Sequence, residues 1–401
     1  MRSSLQLIYK RLLESVSLAH HRFLYHDFIL ADRLTGLIGP RGVGKTTMLL
    51  QIIKARLDPI HTFYFSADHI YFENTTLYAF IEDCFLSDGI ETFFIDEIHK
   101  YKNWSQELKN LYDGFPQLKI VFSGSSSLDI TKGSYDLSRR AKMYYLPGMS
   151  FREYLNMNTN LTVEKIDFVD IIKNHQQFDE LLTKIPRIIG HFNDYLIHGF
   201  YPFYQENPLS YFEKLLEVIN KTIYEDIANF YQLNTGNLHF FKKLLSFLAS
   251  IPPGEINVHN LSQNLSIDDK TTLNYLSKLQ EVGLVNLIYP VETGNASLRR
   301  PEKIFLNNTN LQYAIEGNLP KKVDIGTIRE LFFIQALRDA NLIVHYSKQG
   351  DYVVNNTVFE IGGKNKTSKQ IAHIEKSFLV KADIIISRKR EIPLILMGFL
   401  Y

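Results

Sequence analysis

The sequence predicts an α/β fold: a parallel sheet built around a phosphate-binding loop (P-loop), followed by a helical section, a winged helix and a C-terminal α/β domain. Three observations carry this. Gly39-Pro40-Arg41-Gly42-Val43-Gly44-Lys45-Thr46 is a full G-x-x-x-x-G-K-[ST] loop between an apolar strand and a helix-forming run. About fifty residues on, Phe93-Phe94-Ile95-Asp96-Glu97 is an apolar strand ending in two acids. Residues 255–291 then read as helix, turn, helix and hairpin.

Bulk properties narrow the classes. The 401 residues suggest two or three domains, and 45% hydrophobic with 22% charged residues is an ordinary globular balance. Lys plus Arg number 44 against 43 Asp plus Glu, a net charge of +1. No global basic field advertises nucleic acid, so any DNA contact must come from a local patch. The single cysteine, Cys84, excludes internal disulfides and cysteine-based metal clusters. No apolar run reaches the length of a membrane span. Leu5, Ile8, Leu12 and Val16 among Arg2, Lys10, Arg11 and Glu14 form an amphipathic helix rather than a secretory signal. The expectation is a soluble cytoplasmic protein with no membrane partner.

After the N-terminal helix and a connecting segment, residues 33–38 form the first strand. In the loop, Gly39, Gly42 and Gly44 remove Cβ atoms so that backbone N–H groups approach phosphate oxygens. Pro40, Arg41, Val43 and Thr47 complete the nucleotide-binding stretch. The helix starting near Lys45 aims its positive dipole end at the same anion. Lys45 adds a cation for the β- and γ-phosphates, and the Thr46 hydroxyl can ligate Mg²⁺. ATP and Mg²⁺ are therefore the expected cofactors. Residues 61–66 read as a second strand, 76–86 as a helix and 91–97 as a third strand. Its Asp96 places a carboxylate beside the Mg²⁺ held by Thr46, and Glu97 stands where ring-type ATPases keep the base that orients water. Trp104, Leu108 and Leu111 mark a helix. The strand 119–122 ends in Ser123-Gly124-Ser125-Ser126-Ser127. Ser125 is the candidate sensor of the γ-phosphate, with Ser123 and Ser126 beside it, against a plain serine-rich turn. Arg139 and Arg140 follow. Arg140 is the candidate charge-neutralising finger, in cis or toward a neighbouring subunit, against a solvated basic loop.

Taken together, the P-loop, Ile95-Asp96-Glu97-Ile98-His99-Lys100-Tyr101-Lys102-Asn103-Trp104, Phe122-Ser123-Gly124-Ser125-Ser126 and Ser150-Phe151-Arg152-Glu153-Tyr154-Leu155 carry a family resemblance. Over nearly its whole length the chain resembles the prokaryotic AAA+-type ATPases with a C-terminal DUF4143 region. The resemblance implies an AAA+ core of the ASCE type with an N-terminal helix over 1–155, and a helical lid or linker over 156–250. It further implies a winged helix over 251–300 and a DUF4143-type, restriction-endonuclease-like domain over 301–401. The implied activity is ATP binding and hydrolysis coupled to a DNA- or partner-directed C-terminal region. The alternatives are an ATP-gated, Mg²⁺-dependent nuclease and a non-hydrolysing ATP-dependent switch. AAA+ modules commonly form rings, which leaves a homo-oligomer open.

Downstream, aromatic stripes (Phe178, Leu181, Ile188, Phe192) read as helices, Gly199-Phe200-Tyr201-Pro202 as a turn, and Ile251-Pro252-Pro253-Gly254 as a break. In the second helix of the helix–turn–helix, Leu273, Leu276, Leu279 and Val282 define the buried face. Lys270, Thr272, Asn274, Tyr275 and Lys278 are expected outward, a polar and basic face suited to a major groove. Duplex DNA through residues 268–300 is the resulting expectation, with Arg299 and Arg300 extending the patch. Asp268, Asp269 and Glu281 dilute its charge, and joining proteins is the alternative. Near the end, Glu330, Asp351 and Glu360 fall on a helix and two strands, an order that resembles the nuclease-like core. The departure is that Glu360 is followed by Ile361-Gly362-Gly363-Lys364, so the lysine of the Glu-x-Lys pattern is displaced by two positions. A degenerate site is the expectation. Lys364, Lys366 and Lys369 alternatively form a small phosphate-binding patch.

Overall fold

The computed structural model describes residues 2–124, 137, 139–159, 161–233, 235–291, 300–317, 319 and 324–401. The chain divides into two compact units, Met1–Pro147 and Gly148–Tyr401.

In the first unit, β1 (Leu34–Ile38), β2 (Thr62–Ser66), β3 (Thr92–Asp96), β4 (Lys119–Gly124) and β5 (Ala141–Tyr145) form a parallel sheet in the order β2-β3-β4-β1-β5. Parallel sheets are covered on both faces, which is why the strands read as continuous apolar runs. Phe63, Phe65, Phe93, Phe94, Ile95, Val121 and Phe122 are all buried. The helix Lys45–Arg56 buries Met48, Leu49, Ile52 and Ile53. A cluster of Phe63, Phe65, Phe72 and Phe80 packs against β2 with tilted and edge-on rings. With β1 between β4 and β5, its loop emerges at the carboxyl edge of the sheet, where such folds take their ligands. The strand β5 has no counterpart in the sequence-based reading. It is a partly exposed edge strand, and its Ala-Lys-Met-Tyr-Tyr lacks the apolar run of the others.

The second unit begins with helices. Ser150 caps the helix Phe151–Asn158 through a reciprocal pair with Glu153. This helix belongs to the second compact unit. Helices Val258–Leu265 and Asp269–Glu281 are joined by a turn whose Asp268 side chain caps the second. An antiparallel hairpin of β6 (Val285–Ile288) and β7 (Lys303–Leu306) follows. The helix Ile325–Asp339 packs on a second sheet in the order β12-β11-β10-β9-β8. Its strands are β8 (His345–Tyr346), β9 (Tyr352–Val354), β10 (Thr357–Gly362), β11 (Ser377–Lys381) and β12 (Glu391–Pro393). β10–β11 and β11–β12 are parallel, and the other pairings are antiparallel. The apolar run 392–399 is mostly a 3₁₀ helix, Leu394–Phe399. Among the described residues, no helix is long and apolar enough to cross a membrane.

The expected DNA-reading face of Asp269–Glu281 needs correction. Thr272, Tyr275 and Lys278 are buried, not outward. Tyr275 packs on Phe241 with ring centroids 4.8 Å apart, and the Lys278 ammonium sits 4.2 Å from the Tyr231 ring centroid. Only Lys270 and Asn274 of the five named residues are exposed. Arg300 pairs with Asp269 at 2.8 Å, and Arg299 lies outside the described residues.

Candidate functional site

The loop after β1 adopts the geometry its glycines permit. Gly42 (φ +80°) and Gly44 (φ +92°) are left-handed, a conformation that costs glycine little. A Cβ on Gly39 would lie 2.1 Å from the Leu146 carbonyl oxygen, so nothing larger fits beside β5. Val43 is fully buried and anchors the loop. The Lys45 ammonium donates to the carbonyls of Gly39 (2.8 Å) and Pro40 (2.9 Å), curled over its own loop. Arg22, which the sequence reading passed over, is buried and donates to the carbonyls of Val43 and Pro147, the latter at 2.9 Å. It ties the loop to the end of the chain segment that follows β5.

The acid at the end of β3 is surrounded by neutral donors. Thr46 Oγ1 donates to Asp96 Oδ2 at 2.5 Å, and the Tyr64 hydroxyl donates to the same oxygen at 2.9 Å. Ser123 Oγ and the Glu97 amide donate to Oδ1, the latter at 3.0 Å. Burial, and then the Asp96 charge, push the Tyr64 phenol up, which keeps it a donor. Tyr64 was not foreseen, and Ser123 had been named only as a neighbour of the candidate sensor. Both depend on β2 and β4 flanking β3, which local spacing does not reveal. Glu97 follows in the left-handed region (φ +50°), a strained conformation costing on the order of 1 kcal/mol. Its carboxylate lies 3.4 Å from His99 Nε2, whose side chain is buried.

The remaining candidates fall elsewhere. Ser125 and Ser126 lie outside the described residues. Arg140 precedes β5, where Ala141 stands opposite Leu34 and Tyr145 opposite Ile38. It therefore sits at the amino edge of the sheet, about 16 Å along the strand direction from the loop. Its guanidinium forms a two-pronged pair with Asp113, at 3.1 Å on each side. A finger acting in cis is thereby corrected: Arg140 and the loop leave opposite ends of the sheet.

In the second unit the fold does gather Glu330, Asp351 and Glu360, but each comes with a cation or a donor. Lys303 Nζ lies 2.6 Å from Glu330 and 3.8 Å from Asp351. Tyr352 donates to Glu330 at 2.5 Å, and the Ile361 amide to Asp351 at 2.7 Å. Lys366, not Lys364, reaches Glu360, at 2.6 Å. Burial, then the Glu330 charge, push the Asp351 carboxyl up to about 6. Among the described residues, no group of three His, Cys, Asp or Glu side chains is arranged to hold a metal ion.

The phosphate loop, the acid-tipped β3 and the β2-β3-β4-β1-β5 sheet identify the first unit. Residues 31–155 match the family model of the AAA domain. The AAA domain thus covers the whole parallel sheet and every described residue of the loop and acid pair. It makes this part of the chain a nucleotide-binding AAA+ module of the P-loop type. Residues 189–322 match a domain of unknown function, DUF8612, which spans most of the expected lid and winged helix and only the start of the DUF4143-type region expected over 301–401. The chain is similar to the uncharacterized protein MJ1637 of Methanocaldococcus jannaschii, 28% identical over 365 residues, covering 84% of this chain and 76% of that protein. Among solved structures it aligns with C. elegans PCH-2 at 17% identity over 50% of this chain (TM-score 0.29). It also aligns with a katanin structure described for its self-assembly, at 19% identity over 40% (TM-score 0.25). The chain spans 57% of each of those two chains.

Proposed function

We propose that the chain binds ATP with Mg²⁺ and hydrolyses it. The observation that carries the reading is the meeting of Thr46 and Asp96 beneath the glycine-opened loop. A hydroxyl and a carboxylate converging on one point are the oxygen donors that a hard, six-coordinate cation takes beside a triphosphate. The residues present therefore fit the group. When bound, Mg²⁺ supplies charge neutralisation across the β- and γ-phosphates.

The chain's own groups do the rest. The loop amides and the start of the helix Lys45–Arg56 bind the phosphate oxygens. Lys45 exchanges two carbonyl acceptors for anionic phosphate oxygens, a charge-assisted and stronger bond. Tyr64 and Ser123 fix the orientation of Asp96. Glu97 orients a water for in-line attack on the γ-phosphorus and accepts its proton, while the bond to the β-phosphate oxygen breaks and ADP leaves. Ser125 as reporter of the γ-phosphate belongs to the same reading. Arg140, excluded in cis, serves in it only through a neighbouring copy. A winged-helix identity for residues 251–300 rests on the helix–turn–helix and hairpin order. The buried Thr272, Tyr275 and Lys278 weigh against duplex DNA on that helix. The lysines set among Glu330, Asp351 and Glu360 weigh against a nuclease centre.

The test uses purified full chain, millimolar Mg²⁺ and labelled ATP. Lys45→Ala is expected to lose ATP retention. Glu97→Gln is expected to keep retention while phosphate release falls by about 10²- to 10⁴-fold, the range for loss of a general base. Failure of the unaltered chain to retain ATP overturns the whole reading. Retention without any phosphate release replaces it with a non-hydrolysing switch.

A further inference from the structure

The C-terminal unit contains a groove of about 440 Å³ at the carboxyl ends of two neighbouring parallel strands. β10 and β11 finish together, with Gly362 opposite Lys381. The chain leaving β10 turns at once, the Lys366 amide bonding the Gly363 carbonyl, while the Ala382 amide closes onto the Gly362 carbonyl. Crevices outside the carboxyl ends of parallel strands are where open α/β sheets receive ligands.

Two properties of the groove say what it receives. The first is uncompensated positive charge. The two acids in its wall are already neutralised: Glu391 accepts from Lys381 at 3.0 Å, and Asp383 from Arg329 at 2.9 Å. Lys364 is exposed and makes no ion pair among the described residues. Arg388 is 78% exposed and shares Glu391 with Lys381 at the longer distance of 3.8 Å, so one carboxylate serves two cations. Lys389, next along the chain, is also exposed. The second property is an aliphatic floor. Ile384 and Ile385 are half-buried, Ile386 is 54% exposed, and Ile189 completes the lining. Among the described residues no aromatic side chain lines the groove, so they offer nucleic-acid bases no stacking platform.

We propose that this groove docks a peptide segment of a partner protein that carries both acidic and aliphatic side chains. Carboxylates on the segment meet Lys364 and Arg388 at the rim, where charge sets encounter rate and register. Its aliphatic side chains cover Ile384, Ile385 and Ile386, which supplies the area removed from water. The inference does not depend on ATP hydrolysis. It assigns the second unit a protein-directed role, in place of the duplex DNA expected of the helix Asp269–Glu281.

The experiment is fluorescence anisotropy on the full chain with labelled ten-residue peptides in which glutamate and leucine are interleaved in several orders. Lysine–leucine peptides, and single-stranded and duplex oligonucleotides of twenty nucleotides, serve as comparisons. Saturable binding of at least one glutamate–leucine peptide is expected, weakened by 0.5 M salt. Lys364→Glu with Arg388→Glu, both at exposed positions, should reduce its affinity by about tenfold or more. Ile386→Asp should do the same without lowering the melting temperature. Should a charge-reversed chain melt early, Lys364→Gln with Arg388→Gln tests the same contacts. Absence of saturable peptide binding, or binding indifferent to all these substitutions, overturns the proposal. So does an oligonucleotide that binds more tightly than the peptides and is lost on the same substitutions.

Discussion

Two sets of carboxylates, Asp96 at the end of β3 and Glu330, Asp351 and Glu360 beside the second sheet, differ in what faces them. Asp96, in the first unit, is met by the hydroxyls of Thr46, Tyr64 and Ser123. Glu330, Asp351 and Glu360, in the second, are met by the ammonium groups of Lys303 and Lys366. A hydroxyl orients a carboxylate without cancelling its charge, so the charge remains for an incoming cation. An ammonium cancels it in place, and a metal would have to displace a covalently tethered competitor. Residue type therefore says little about chemistry until the neighbours are known. Asp96 keeps its charge among neutral donors, whereas Glu330 and Glu360 each already face a lysine at 2.6 Å.

The largest expected effect breaks the first arrangement. Asp96→Asn keeps a side chain of the same size and lets the three hydroxyls rotate to serve an amide, so the fold should survive. The charge for Mg²⁺ is gone, and Mg²⁺-dependent phosphate release should fall by about 10³-fold, roughly 4 kcal/mol of transition-state stabilisation. A fall of less than tenfold, with melting unchanged, would mean that Asp96 does not serve the metal.

The next effect converts the second arrangement toward the first. Lys303→Met removes the cation between Glu330 and Asp351 and leaves two partly buried carboxylates facing each other. Loss of one partner of a buried pair costs about 3 kcal/mol. The melting temperature should fall accordingly. Millimolar Mn²⁺ should recover part of the loss in the variant and do nothing to the unaltered chain, since binding to the folded state alone stabilises it. Equal Mn²⁺ responses would show that the lysine does not hold the place of a cation.

The two groups also differ in how far they could be read from the sequence. The loop, Thr46 and Asp96 were legible because the requirement is local: glycines at fixed spacing, then a buried strand with an acid at its tip. Tyr64 and Ser123 were less so, since their convergence on Asp96 needs the order β2-β3-β4. Arg140 misled because a basic pair after a serine turn gives no sign that the next residues pair with β1 in a register that sends them to the other edge. Helical periodicity found Leu276 and Leu279 but not the burial of Tyr275 and Lys278. Those two are covered by Phe241 and Tyr231, on helices far back in the chain. Glu330, Asp351 and Glu360 were found, yet Lys303 arrives from a hairpin with no pattern linking it to them, and Lys366 from a turn two residues past the lysine the family pattern suggested.

The smallest effect separates the two arrangements by pH. Asp351 binds its proton more tightly in the folded chain, where its carboxyl is pushed up to about 6 from an ordinary 3.8, than in the unfolded chain. Between those values the folded state holds the extra proton. Raising pH through that window strips it and lowers stability by about 3 kcal/mol at most, and the loss is complete once the carboxyl is ionised in both states. Asp351→Asn carries no such proton, and its amide oxygen can still accept from the Ile361 amide. Melting temperatures of the two chains should therefore diverge in favour of the asparagine variant from about pH 4 to pH 6.5 and run parallel above it. Parallel curves throughout would place the Asp351 charge under full compensation by Lys303, and the lysine would then neutralise both of its acids rather than chiefly Glu330, to which it lies closer.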